Sequence, residues 1–181
     1  MTRPHIFLDF DDVICLADPE ARLEKPGSFD AMQAMGEIQQ GKATVEGHQP
    51  LWDVLFHQPA MANLRALHDE FSPVYVLSTS WTRILDLRAM TIILSRGGLD
   101  FVVSNLHKDW ETQKGRTNRA SEIANWLGAH ASVTNWVALD DHCSGRGFDE
   151  SSERVVLCEV GKGFTEVELQ KARQILLGDV K

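Results

Sequence analysis

His5-Ile6-Phe7-Leu8-Asp9-Phe10-Asp11-Asp12-Val13 decides the fold. A short apolar run, residues 5–10, stops at a cluster of acids, which predicts a buried strand ending in a polar loop. The same pattern returns at Trp136-Val137-Ala138-Leu139, which runs into Asp140 and Asp141. Val74 to Leu77 is another apolar run, bounded by Pro73 and Ser78. Phe101 to Val103 and Val155 to Cys158 complete a set of about five candidate strands.

Helical patterns separate them. Residues 60–71 place Met61, Leu64, Leu67 and Phe71 on one side. Residues 82–95 predict one long apolar helix, stopped by Gly97 and Gly98. Residues 118–127 carry Ile123, Trp126 and Leu127. A final helix opens on Thr165 with Glu168 three residues later, the signature of a capping box, and Gly178 lies near its end. Strands alternating with helices predict an α/β fold, a Rossmann-like parallel sheet with helices on both faces. Residues 15–57 interrupt the pattern with Pro26, Gly27, Gly36, Gly41, Gly47 and Pro50, and with one short helical pattern at residues 29–39. They read as a small insertion after the first strand, leaving 1–14 and 58–181 as the core.

The acids carry the chemistry. Carboxylates this close repel and raise one another's pKa, and a bound cation removes the difficulty. Hard oxygen ligands at this density suit Mg²⁺. The strand period points Asp9 and Asp11 the same way, so one can coordinate and attack while the other manages protons. Asp140 and Asp141, at the end of a parallel strand, would meet them around one ion. Alone, each acidic run also fits a loop or helix cap. Ser78 and Thr79 follow a strand end, where hydroxyls and free amides hold phosphate oxygens; helix capping before Trp81 is the plainer role. Lys114 precedes a helix and can neutralise an aspartate and a phosphoryl oxygen. Lys108, Arg116 and Arg119 are alternatives for that cation.

In this order the four motifs resemble the haloacid dehalogenase-like (HAD) superfamily: Asp9-Asp11-Val13, Ser78, Lys114 and Asp140-Asp141. Ser78-Thr79-Ser80-Trp81 before a long helix also looks like small members found among RNA-repair-type proteins. The resemblance implies that Asp9 is the nucleophile and forms an aspartyl-phosphate. Asp11 would protonate the leaving group and then activate water, while Ser78 binds the phosphoryl group. Lys114 would steady it, and Asp9, Asp11 (through its carbonyl), Asp140 and Asp141 would hold Mg²⁺. It implies a small cap at residues 15–57. Dehalogenases of the superfamily lack an acid equivalent to Asp11, which points to phosphate chemistry. Asp12 departs from the glycine that many members carry there.

The expected activity is therefore Mg²⁺-dependent phosphomonoester hydrolysis, on a phosphorylated small molecule or a nucleic-acid end. The alternative is a non-catalytic Mg²⁺- and phosphate-binding regulatory module. A receiver-type signalling domain does not fit, because there the paired acids follow the first strand and the lysine the last. A net charge of -8 and a pI near 5.3 argue against a broad phosphate-tracking surface. Three cysteines without metal-ligand spacing suggest free thiols. The acids interrupt any N-terminal apolar run, and no stretch approaches the ~20 apolar residues of a membrane span. The expectation is a cytoplasmic enzyme with no membrane association and no obligate protein partner.

Overall fold

The computed structural model describes residues 3–17, 26–112, 118–145, 147–148 and 152–178. Its centre is a five-stranded parallel sheet in the order β3-β2-β1-β4-β5. The strands are β1 (His5–Leu8), β2 (Val74–Leu77), β3 (Leu106–Glu111), β4 (Trp136–Asp141) and β5 (Val155–Cys158). From β1 the chain builds outward to β2 and β3, then returns to the other side of β1 for β4 and β5. The order reverses between β1 and β4, and open parallel sheets bind ligands beyond strand ends at such a switch point.

The period of two sorts the side chains. Ile6, Leu8, Tyr75, Leu77, Val137 and Leu139 face one layer, packing with Leu64 and Leu67 of α3 (Gln58–Phe71) and Leu169 and Ala172 of α7 (Glu166–Leu177). Phe7, Val76 and Ala138 face the other, against Ile123 and Trp126 of α6 (Arg119–Ala129). Helices therefore cover both faces. Apolar residues on both sides explain why β1, β2 and β4 read as unbroken apolar runs.

Two expectations fail. Phe101 to Val103 is not a strand: it lies in a short helix, α5 (Asp100–Val103), whose Phe101 and Val102 are buried. The third strand is Leu106–Glu111, an edge strand of sequence LHKDWE with Lys108 and Asp109 exposed, so it shows no apolar run. The long helix expected at residues 82–95 is two pieces. A 3₁₀ turn at Ser80–Arg83 ends at Ile84, and α4 (Leu87–Arg96) begins after Asp86. The Asp86 carboxylate accepts the Ala89 amide at 2.9 Å, an N-cap that restarts the helix. The capping box at Thr165 and Glu168 and the left-handed Gly178 (φ 78°) bound α7 as expected.

Residues 26–57 contain α1 (Ser28–Gln39), a 3₁₀ turn at Glu46–His48 and α2 (Gln49–Trp52). The segment is tied at both ends to the loop after β1, by Ser28 N–H to the Leu16 carbonyl and His57 N–H to the Ile14 carbonyl. Ala31, Met35, Trp52 and Phe56 are buried in the same cluster as the α3-side face of the sheet. Trp52, whose indole N–H donates to the Val45 carbonyl at 2.8 Å, and Phe56 thus pack the interior.

Candidate active site

Strand register assembles the site. Phe7 pairs with Ala138 and Leu8 with Leu139, so the next step sets Asp9 beside Asp140. The Asp9 amide continues the ladder with a 3.0 Å bond to the Leu139 carbonyl. Leu8 pairs with Leu77, and the Ser78 amide donates to the Leu8 carbonyl at 2.9 Å. By alternation Asp9, Ser78 and Asp140 share the face of Phe7, Val76 and Ala138, which is covered by α6. The first residue of that helix is Arg119.

Asp9, Asp140 and Asp141 each offer a carboxylate oxygen within 4.8 Å of the others, and all three are at most 2% exposed. Arg119 meets them as the buried cation. Its Nη2 lies 3.5 Å from Asp9 Oδ1, and its Nε lies 3.2 Å from Asp140 Oδ2 as an ion-pair contact without hydrogen-bond alignment. Glu122, buried one turn along, lies 3.4 Å from Arg119 Nη1 and accepts from Arg83 at 2.8 Å. Among the described residues, neither oxygen of Asp9, nor Oδ2 of Asp141, nor Oγ of Ser78 has a hydrogen-bond partner, and all are buried. Buried polar atoms are normally satisfied, so four orphans in one place call for a ligand.

Electrostatics point the same way. Burial, followed by the charge of Asp140, raises the Asp9 carboxyl well above its ordinary range despite Arg119. Burial also raises Asp140, against the pull of Arg119. Among the described residues one guanidinium, itself shared with Glu122, meets three carboxylates. Hard oxygens at that density suit a small divalent cation such as Mg²⁺.

Asp11 stands apart from that group. Both its oxygens accept the Trp81 indole N–H, at 3.2 and 3.1 Å. Trp81 is fully buried, edge-on to Phe10 with ring centroids 5.2 Å apart. Burial, then the Asp9 charge, pushes Asp11 up to about 7, against the opposing Trp81 hydrogen bond. Asp12 shapes the turn. Its backbone is left-handed (φ 53°), and its Oδ1 accepts the Ala17 and Gly161 amides at 3.0 and 2.9 Å. Asp and Asn are the side-chain-bearing residues that visit this region most readily. A carboxylate at this place thus keeps a glycine-like turn while tethering two loops.

Asp141 Oδ1 accepts the amides of Cys143 and Ser144 at 2.5 and 3.0 Å, which aims its other oxygen into the cluster. The turn closes on Gly145, where a Cβ would meet the Asp141 carbonyl at 2.7 Å. Thr79 caps the 3₁₀ turn, accepting from the Trp81 amide, and its buried side chain serves the backbone. Lys114 and Arg116 lie outside the described residues. Lys108 is exposed on β3. The sequence offers Arg119 only as an alternative cation and gives no sign that the Trp81 N–H meets Asp11. The one local signal was Arg119 with Glu122 three residues on, an i,i+3 pair at a helix start.

A family profile described as "HAD domain in Swiss Army Knife RNA repair proteins" matches residues 5–169. The chain belongs to this family. The match runs from the start of β1 into α7 and so includes every residue of the site. No curated protein and no solved structure matched the chain. Membership in the HAD superfamily of hydrolases agrees with the parallel sheet and with a carboxylate site at its switch point.

Proposed function

We propose that this HAD domain is a phosphomonoesterase that removes terminal phosphate from polynucleotide ends through an aspartyl-phosphate on Asp9. The observation that carries the reading is the buried Asp9 carboxylate, which faces Arg119 and Asp140 and whose oxygens accept no hydrogen bond among the described residues. Substrate class rests on the family's description as part of RNA repair proteins.

An Asp9 oxygen attacks phosphorus, and the bond to the leaving oxygen breaks as Asp11 donates its proton to it. Asp11, now ionised, takes a proton from water; that water attacks phosphorus and releases inorganic phosphate, restoring the Asp9 carboxylate. Ser78 Oγ and Arg119 hold the phosphoryl oxygens and offset their charge. A residue at position 114 would add a second positive charge. Asp9, Asp140 and Asp141 would hold Mg²⁺, which supplies charge neutralisation for nucleophile and phosphate when bound. The Trp81 N–H keeps the Asp11 carboxyl aimed and supports its ionised form. Residues 15–57 act as a small cap in this reading, joined to the site through the loop after β1 that carries Asp11 and Asp12. Among the described residues no helix is long and apolar enough to cross a membrane, and Cys15, Cys143 and Cys158 are free thiols; both suit work in the cytoplasm.

The test is hydrolysis of phosphate-ended RNA oligonucleotides and of an aryl phosphate, in Mg²⁺ and in EDTA. Turnover that needs Mg²⁺ and vanishes in Asp9→Asn, with circular dichroism unchanged, supports the reading. Mg²⁺ and phosphate binding without turnover on any substrate would instead make the domain a non-catalytic binding module.

A further inference from the structure

We propose that His107, Asp109 and His130 form a second metal site, of the zinc class, that clasps the edge strand β3 to the C-terminal end of α6. It lies at the opposite ends of the strands from the carboxylate cluster. His5, at the start of β1, has its ring 5.8 Å from that of His107. Asp9 is four residues further on, about 13 Å along the strand.

The hydrogen bonds assign the lone pairs. His130 Nδ1 is 2.7 Å from the Trp126 carbonyl, which can only accept, so Nδ1 carries the hydrogen. In the neutral ring Nε2 is then bare, and it points at Asp109 Oδ2 from 2.9 Å. A proton on Nε2 or a metal ion satisfies this contact equally; the metal alone would also engage His107. His107 Nδ1 accepts the Asp109 amide at 3.0 Å, so it too carries a lone pair, and it lies 4.0 Å from Asp109 Oδ2. All three donor atoms fall within 4.8 Å of one another. A metal ion would take the His107 lone pair in place of that amide and satisfy all three donors at once.

The donors are also held in advance. His107 and Asp109 sit two apart in β3, and the Asp109 amide donating to the His107 ring at 3.0 Å holds the two together. Trp126 stacks on the His130 ring at 3.8 Å and meets the His107 ring edge-on at 4.9 Å. Its indole N–H donates to the Asp109 carbonyl at 3.0 Å, linking helix and strand. The Nδ1 bond of His130 to a carbonyl is the usual outer contact of a metal-ligating histidine, fixing tautomer and ring. Two imidazoles and one carboxylate select Zn²⁺ and its neighbours over Mg²⁺, and leave a fourth position for water. The His107 and His130 side chains are each 18% exposed and Asp109 is 53% exposed, so an ion can reach them.

The experiment uses the full chain, freed of metal with EDTA and titrated with Zn²⁺ by calorimetry and with Co²⁺ by visible absorption. With excess Mg²⁺ present to occupy the carboxylate cluster, one equivalent should bind with a rise in Tm, and Co²⁺ should give the d–d bands of a nitrogen-containing site. His130→Gln and the surface variant Asp109→Asn should each weaken binding on the order of 100-fold. Asp9→Asn should leave it unchanged, which separates this site from the carboxylate cluster. Absence of Zn²⁺ binding, or binding equal in wild type, His130→Gln and Asp109→Asn, would overturn the proposal. Asp109→Asn decides the matter even if His130→Gln does not fold, because Asp109 is exposed and outside the core.

Discussion

At the residue scale, the site works by leaving a few buried atoms unsatisfied. Asp9, Asp140 and Asp141 are brought together at a cost in folding energy, each pKa unit of displacement being ~1.4 kcal/mol. The cost has a definite sign. Asp9, Asp11 and Asp140 hold protons in the native state at pH values where the unfolded chain has lost them. The native state then binds more protons, so stability falls as pH rises between about 4 and 7. In EDTA, Tm should drop across that window; added Mg²⁺ should restore it, and more strongly at pH 8 than at pH 5. A Tm independent of pH and Mg²⁺ would count against the cluster. Trp81 gives a second prediction. Trp81→Phe keeps most of the packing against Phe10 but removes the donor to Asp11. In the proposed reaction it should lower kcat on the order of 10- to 100-fold for phosphates with poor leaving groups. Aryl phosphates, whose leaving oxygen needs little protonation, should lose only the part of that rate which depends on Asp11 activating water. Asp9 and Asp140 could be found in the sequence because acids ending apolar strands are costly unless used. Trp81 could not, because nothing in its neighbours shows that its N–H meets a carboxylate 70 residues away.

At the element scale, the loop after β1 is the sensitive piece. It carries Asp11, turns left-handed at Asp12, and anchors both ends of residues 26–57 through Leu16 and Ile14. Asp12→Asn should be near neutral, since its carbonyl oxygen still accepts both amides and tolerates the backbone. Asp12→Ala loses two amide partners and adds left-handed strain of about 1 kcal/mol. Thermal melts should therefore rank wild type, Asn, Ala, with Ala lower by roughly 2–4 kcal/mol; an Ala variant as stable as wild type would show that Asp12 does not hold the turn. The strands at the middle of the sheet were legible because both faces are buried. Edge strand β3 was not, since Lys108 and Asp109 face solvent and its register shifts between Tyr75 and Leu77 of β2. Helix α4 was misjudged in extent because Ile84 and Leu85 continue an apolar pattern across the break at Asp86.

At the scale of the whole molecule, the sheet order creates the site. β1 lies between β2 and β4, so the ends of three parallel strands deliver Asp9, Ser78 and Asp140 to one crevice from positions up to 131 residues apart in sequence. α6 closes that crevice with Arg119 at its first turn, while its last turn holds His130 beside β3. Strand ends and acids foretold the crevice. Among the described residues the cation that meets the acids is Arg119, one of four that the sequence offered, because several lysines and arginines lie near the start of α6 and only packing selects among them. The most direct measurement of the central claim is acid quenching during turnover of a phosphate-ended oligonucleotide in Mg²⁺, followed by peptide mass spectrometry. The account predicts a phosphoryl group on the peptide containing Asp9, lost in neutral hydroxylamine and absent from Asp9→Asn. Turnover with no adduct at Asp9, or with the adduct on another residue, would contradict it.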